Sequence, residues 1–180
     1  LYVAIAWTGL SLIVAMLLGV WGFVATLIGL ALAWAYSAPP FRLKKDGWWG
    51  NAAVGACYEG LPWFTGAAVM LNALPGTEII VLAVLYSVGA HGIMTLNDFK
   101  ALEGDRQMGV NSLPVTLGPE RAASVACWVM ALPQVVVIAL LTIWDKPVFA
   151  LIILALLAAQ FWAMRVLLRD PKGRGPGYNC

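Results

Sequence analysis

Residues 79–106 read IIVLAVLYSVGAHGIMTLNDFKALEGDR, and this stretch decides the fold. Positions 79–97 carry no Asp, Glu, Lys or Arg, and then Asp98, Lys100, Glu103, Asp105 and Arg106 crowd into the next nine residues. About 20 apolar residues of helix cross a hydrocarbon core roughly 30 Å thick, so the run has the length of a membrane span that ends abruptly in water. The same pattern repeats outward in both directions. Of 180 residues, 62% are hydrophobic and only 11% charged, far from the roughly one quarter charged of a soluble domain.

Six spans are expected: 1–18, 20–36, 51–71, 78–96, 121–143 and 148–168. In hydrocarbon every backbone N–H and C=O must be satisfied within the segment, so the spans are helices and open sheet is excluded. A closed barrel would show short alternating segments instead of continuous apolar runs. The fold class is therefore all-α, a polytopic membrane helical bundle forming a single domain over 1–180. Pro133 falls inside the fifth span and is expected to kink it.

The charges test this topology, because Lys and Arg concentrate in cytoplasmic loops. Six spans put the loops 37–50 and 97–120 and the segment after 168 on one side. That side and its helix ends hold ten of the eleven basic residues: Arg42, Lys44, Lys45, Lys100, Arg106, Arg121, Arg165, Arg169, Lys172 and Arg174, against Lys146 alone opposite. The formal charge of +2 is thus a topology signal, and nucleic acid is excluded as a partner because no basic groove with interleaved aromatics appears. Cys57, Cys127 and Cys180 form no CxxC pair or disulfide framework and serve as small apolar fillers. The chain begins with Leu inside an apolar run, and 173–180 is a Gly/Pro-containing stretch with no span after it, so both ends are expected to be interior to a longer protein.

Asn97, Asp98, Glu103 and Asp105, beside Lys100 and Arg106, sit where a span meets the cytoplasm. Carboxylates that close repel one another, and a hard divalent cation relieves the repulsion. Mg²⁺ commonly binds through one or two carboxylates plus substrate phosphates. If the helix continues through Glu103, Asp98 and Asp105 share a face two turns apart, a spacing suited to two ions flanking one diphosphate. The competing interpretation is a solvated loop whose acids balance its bases. Against it stands the depth of Asn97 and Asp98, directly after an apolar span.

The stretch 36–50, YSAPPFRLKKDGWWG, ends a helix at Pro39 and Pro40 and presents Arg42, Lys44 and Lys45 beside Trp48 and Trp49. Arg is a planar fork for phosphate and Lys a point charge. A positive-inside loop with interfacial aromatics would look the same; together with an acidic loop on the same side it becomes half of a metal and diphosphate site. Glu59 lies mid-span, where a charged carboxylate is costly unless paired or facing a cavity. His91 shares a face with Thr95 and Asp98. Each could instead be a helix-packing hydrogen bond. Trp63, Trp128 and Trp162 are expected in packing or lipid contacts.

At YSAPPFRLKKDGWWGN (36–51), LPWFTG (61–66) and NDFKALEGDRQMGVNSLPVTLG (97–118), the sequence resembles the UbiA-type intramembrane prenyltransferases, and within them the chlorophyll and bacteriochlorophyll synthases. The likeness runs along essentially the whole chain. It implies nine helices around a cavity open to lipid, of which these six are the third to the eighth, and two Asp-rich loops holding Mg²⁺ and a prenyl diphosphate. The acidic loop matches the second of these, making Asp98 and Asp105 metal ligands supported by Asn97 and Glu103. Tyr36, Arg42 and Lys44 match the loop that grips diphosphate, with Lys100, Arg106, His91 and Glu59 as further substrate contacts. Two departures stand out: Ala101 occupies a position where many members carry Asp, and no first Asp-rich motif occurs in these residues. On half a metal site, the 180 residues alone are expected to be inactive.

The resemblance implies a geranylgeranyl or phytyl group moving from its diphosphate to the propionate of a chlorophyllide or bacteriochlorophyllide, in a bacterial inner photosynthetic membrane. It also allows contact with other pigment-biosynthesis proteins. Alternatives are a prenyltransferase acting on a quinone precursor or haem, a transporter, and a pigment-binding scaffold using His91 as an axial ligand. A transporter would place its charges at the midplane within internal repeats, and a scaffold would leave the acidic loop without purpose.

Overall fold

The computed structural model describes residues 1–175, and among them there is helix and turn with no strand. The proposed loop at 173–180, with Cys180, therefore lies mostly outside the described residues. The chain opens with a hairpin: α1 (Tyr2–Ala15), extended by a 3₁₀ turn at Met16–Leu18, and α2 (Gly19–Ser37). Gly19 has φ +76°, a conformation only glycine enters without steric cost, and it turns α2 back along α1. Trp34 Nε1 then donates to Thr8 Oγ1 at 3.1 Å across the two legs.

After the basic loop comes one helical run in three pieces: α3 (Gly47–Gly55), a π-helical segment (Ala56–Gly60) and α4 (Leu61–Leu71). Long helices α5 (Thr77–Asp98), α8 (Pro119–Ile143) and α9 (Pro147–Leu167) complete the bundle, with short α6 (Leu102–Met108) and α7 (Leu113–Leu117) between α5 and α8. A last turn, α10 (Pro171–Arg174), follows α9. α8 and α9 both start with Pro at their first position, where its missing N–H leaves no bond unmade.

Four helical stretches are long and apolar enough to span a membrane: Tyr2–Ser37, Thr77–Asp98, Pro119–Ile143 and Pro147–Leu167. The difference from six has two causes. The first stretch, 36 residues long, is folded in half at Gly19. The run from Gly47 to Leu71 reaches span length only across its π-helical segment, so neither α3 nor α4 qualifies singly. A second correction concerns the acidic loop. α5 stops at Asp98, a turn intervenes, and α6 begins at Leu102, so Asp98 and Asp105 do not share one helix face. The helix stops because Phe99 turns inward: it is 5% exposed, within the core cluster that includes Leu113 and Leu167.

Small residues make the bundle. Between α5 and α8 the buried faces are Ala122, Ala123, Ala126 and Ala131 against Gly92, the close-approach packing by which membrane helices associate without a hydrophobic driving force. A Cβ on Gly92 would lie 2.6 Å from the Ala126 carbonyl oxygen and 2.5 Å from Met130 Cγ. Gly92→Ala is therefore expected to destabilise the protein by about 1–3 kcal/mol through overpacking, read as a lowered unfolding midpoint in detergent. An unchanged midpoint would mean that α5 and α8 can separate freely.

Candidate active site

The site is built where the two charged loops meet. Asn111 N–H donates to the Lys45 carbonyl and Gly47 N–H to the Asn111 carbonyl, both at 2.9 Å. This isolated parallel bridge, Asp46 to Asn111, stitches the basic loop onto the far end of the acidic one. Gly175 packs against Phe99, so the segment after α9 reaches the same end. The three basic segments expected on one side are thus together. Gly47 permits the crossing, since a Cβ there would sit 2.5 Å from Leu113 N.

α3 starts under the control of Asp46, whose Oδ1 accepts from both Trp48 N and Trp49 N at 2.9 Å, the capping geometry that satisfies otherwise orphaned N–H groups. One turn on, buried Asn51 donates through Nδ2 to Asp98 Oδ2 at 3.0 Å and to Thr95 Oγ1 at 3.3 Å. Thr95 Oγ1 donates to the His91 carbonyl at 3.0 Å. His91 is itself buried, with Nε2 3.2 Å from the Trp48 carbonyl. The expected face of His91, Thr95 and Asp98 is real, and α3 docks on it through polar contacts.

Asn51 is the member of the candidate site that sequence reasoning passed over. Its signal was an Asn directly after GWWG at the start of an apolar span, but its partners lie 44 and 47 residues away. Of the expected residues, half-buried Asp98 and Asp105 are near enough for their charges to interact, and half-buried Tyr36 lies within electrostatic reach of Asp98. Arg42 and Lys44 are exposed on the bridged loop and form no ion pair among the described residues. Arg42 holds a left-handed backbone, φ +46°, of the kind that clusters at ligand clamps. Asn97 is exposed on the last turn of α5, and Lys100 is exposed on the turn that follows it.

Three further expected residues make contacts of their own. Glu103 and Arg106 are exposed and face each other at 3.9 Å. Glu59 lines a separate cavity of about 150 Å³ with Tyr86, Gln134 and Gln160, because the π-helical segment turns it toward α8 and α9. Cys57 and Cys127 are free thiols, Trp63 stacks on Tyr86, and Trp128 meets Phe161 edge-on.

A far larger cavity, about 1030 Å³, lies between α2, the α3–α4 run and α5. Those three segments alternate in direction, so the cavity runs from Trp21, Leu74 and Ile80 at one end to Asp46, Trp48, Trp49 and His91 at the charged end. Its size is at the upper limit of ordinary ligand pockets, roughly 300–1,000 Å³. The arrangement is an apolar chamber with an ionic mouth.

A metal can be tested against the mouth. No three His, Cys, Asp or Glu side chains converge on one point among the described residues. Asp98 keeps one oxygen uncommitted to Asn51, and Asp105 adds a second carboxylate nearby. Two hard oxygen donors fit Mg²⁺, which completes its octahedron with phosphates and water.

The family model described as the UbiA prenyltransferase family matches residues 1–176. The chain belongs to the UbiA prenyltransferase family. Among its relatives, the bacteriochlorophyll synthase 33 kDa chain of Cereibacter sphaeroides is 64% identical over 99% of this chain and 59% of its own length. The bacteriochlorophyll synthase 34 kDa chain of Chloroflexus aurantiacus is 44% identical over 98% of this chain and 56% of its own. The chloroplastic chlorophyll synthase of Arabidopsis thaliana is 41% identical, covering 83% of this chain and 38% of that protein. The chain thus spans less than two thirds of the length of these relatives. No solved structure matches it. The family assignment and the long apolar helices of the bundle agree on an integral membrane protein of helical fold.

Proposed function

We propose that the complete protein esterifies the propionate of a bacteriochlorophyllide or chlorophyllide with a geranylgeranyl or phytyl group taken from its diphosphate. The observation that carries this is the hydrogen-bonded junction of the basic and acidic loops at the mouth of an apolar chamber. It puts groups for an anion and for a cation beside a space for a long hydrocarbon. The acceptor is taken from the names of the relatives, which share up to 64% identity with this chain.

The allylic C–O bond breaks and its electron pair leaves with the diphosphate, while a propionate oxygen forms the new ester bond. Arg42 and Lys44 meet the charge that develops on the departing group. Asn51 keeps the Asp98 carboxylate in place, Tyr36 joins Arg42 and Lys44 at the diphosphate, and Asp98 and Asp105 would hold Mg²⁺. Bound there, the ion would neutralise the diphosphate. A propionate, with a reference pKa of about 4.3, is already ionised at neutral pH. No general base is needed, consistent with a single histidine engaged with Trp48. The aliphatic walls exclude water, which would otherwise trap an allylic cation.

The charged mouth would face the cytoplasm of a bacterial inner membrane, where ten of eleven basic residues gather. The test feeds labelled geranylgeranyl diphosphate and, in turn, a bacteriochlorophyllide, a chlorophyllide, a quinone-precursor ring and haem to membranes holding the complete protein. Product is expected only with bacteriochlorophyllide or chlorophyllide, and product from another acceptor instead would overturn the assignment. Residues 1–180 by themselves are expected to give none, since two carboxylates make an incomplete metal site.

A further inference from the structure

The wall of the large cavity is unevenly furnished. Most of it is aliphatic, as at Val24, Ile28, Leu61 and Val84, but at the charged end two consecutive tryptophans enter it, Trp48 and Trp49. Consecutive helical residues point about 100° apart, so one cavity can touch both only by wrapping around the first turn of α3. Both rings remain uncovered, at 47% and 67% exposed. Their backbone is held firmly: Asp46 Oδ1 accepts both N–H groups, and His91 Nε2 reaches the Trp48 carbonyl. The Trp48 ring also leans on the His91 imidazole, with centroids 5.6 Å apart. Interfacial aromatics that merely anchor a helix look out to the headgroups, whereas both of these also line the chamber.

We propose that Trp48 and Trp49 form the seat of the acceptor's flat conjugated ring, leaving the aliphatic length of the cavity to the prenyl chain. The inference rests on the esterification proposed above. The two substrates differ in shape: a polyisoprenoid gains from any apolar wall, but a broad planar ring gains further from aromatic faces it can stack upon. Rigid Trp mounts supply such faces at little entropic cost. Placement agrees with the chemistry. The carboxylate must reach the carbon bearing the diphosphate, and that diphosphate sits at the mouth. Trp48 lies three residues before Asn51, which holds Asp98. With the ring on the tryptophans, its propionate extends toward Asp98 and forms the ester bond as the allylic C–O bond breaks, with no proton or electron left over.

The experiment uses the complete protein and two readouts: KM for each substrate, and Ki for a chlorophyllide methyl ester, which carries the ring but cannot be esterified at that carboxyl. Trp48→Leu and Trp49→Leu are each expected to raise the chlorophyllide KM and the ester Ki about tenfold. KM for geranylgeranyl diphosphate should hold within about twofold, and Trp→Phe at each position should recover most of the loss. Should a Leu variant fail to fold, Trp48→Met or Trp49→Met, equally apolar but without an aromatic face, takes its place on the same two readouts. A rise in the diphosphate KM with the ester Ki unchanged gives the seat to the prenyl chain and overturns the proposal, as does no change in either. If the unaltered protein esterifies no chlorophyllide, the function itself is wrong and this inference falls with it.

Discussion

Asp98→Asn in the complete protein is expected to lower kcat/KM for the prenyl diphosphate by about 10²–10³-fold, the scale of losing one electrostatic anchor of a developing charge. The amide has the shape of the carboxylate and still offers an oxygen to Asn51 Nδ2, which now donates at 3.0 Å. Folding should survive, so the loss isolates the charge. The helix end that carries it is locked by Thr95, Asn51 and buried Phe99, leaving little room for a neighbour to move in as substitute. Glu78→Gln is the matched control. Its carboxylate is exposed in the first turn of α5, at the end of that helix away from Asp98, and turnover should change by no more than about threefold. Initial rates against Mg²⁺ concentration check both: the Asp98 variant should need far more metal or fail to saturate. Unaltered esterification by Asp98→Asn would rule out its place as a ligand.

Gly47→Ala is expected to cost about 10²-fold in kcat while leaving the bundle assembled. The added methyl would lie 2.5 Å from Leu113 N and 3.0 Å from the Ser112 carbonyl carbon. Both are backbone atoms, so no rotamer change relieves the clash. The two loops must part, and the bond from Gly47 N–H to the Asn111 carbonyl at 2.9 Å goes with them. A shift of about 1 Å in positioning groups is enough to cost 10² in rate. Gly66→Ala is the control, because nothing lies within 4 Å of a Cβ there. Turnover measured beside the detergent unfolding midpoint separates the cases: a lost rate with a midpoint near that of the unaltered protein supports the junction, and a normal rate would show that the loops work apart.

Some of this was legible in residue order because it follows from solvent. Runs such as 79–97 cannot sit in water, and charges such as those of 98–106 cannot sit in hydrocarbon. The turns between spans and the gathering of Lys and Arg at one end follow from that partition without knowledge of any contact. Asp98 and Arg42 could be singled out because their chemistry is carried by their own side chains at a membrane boundary, whereas Tyr36 was named only through the resemblance to the family.

What order along the chain could not reveal depends on approach between distant segments. That α5 ends at Asp98, with no continuation through Glu103, is settled by Phe99 finding a place among Leu113, Leu167 and the alanines of α8. Asn51 meets Asp98 only because α3 lies on α5, and Glu59 lines a separate cavity with Gln134 and Gln160. Which segments enter the membrane is decided by transfer energies that add residue by residue, so composition suffices. Which residues touch is decided by steric fit between backbones at positions such as Gly47 and Gly92, and that exists only in the folded bundle.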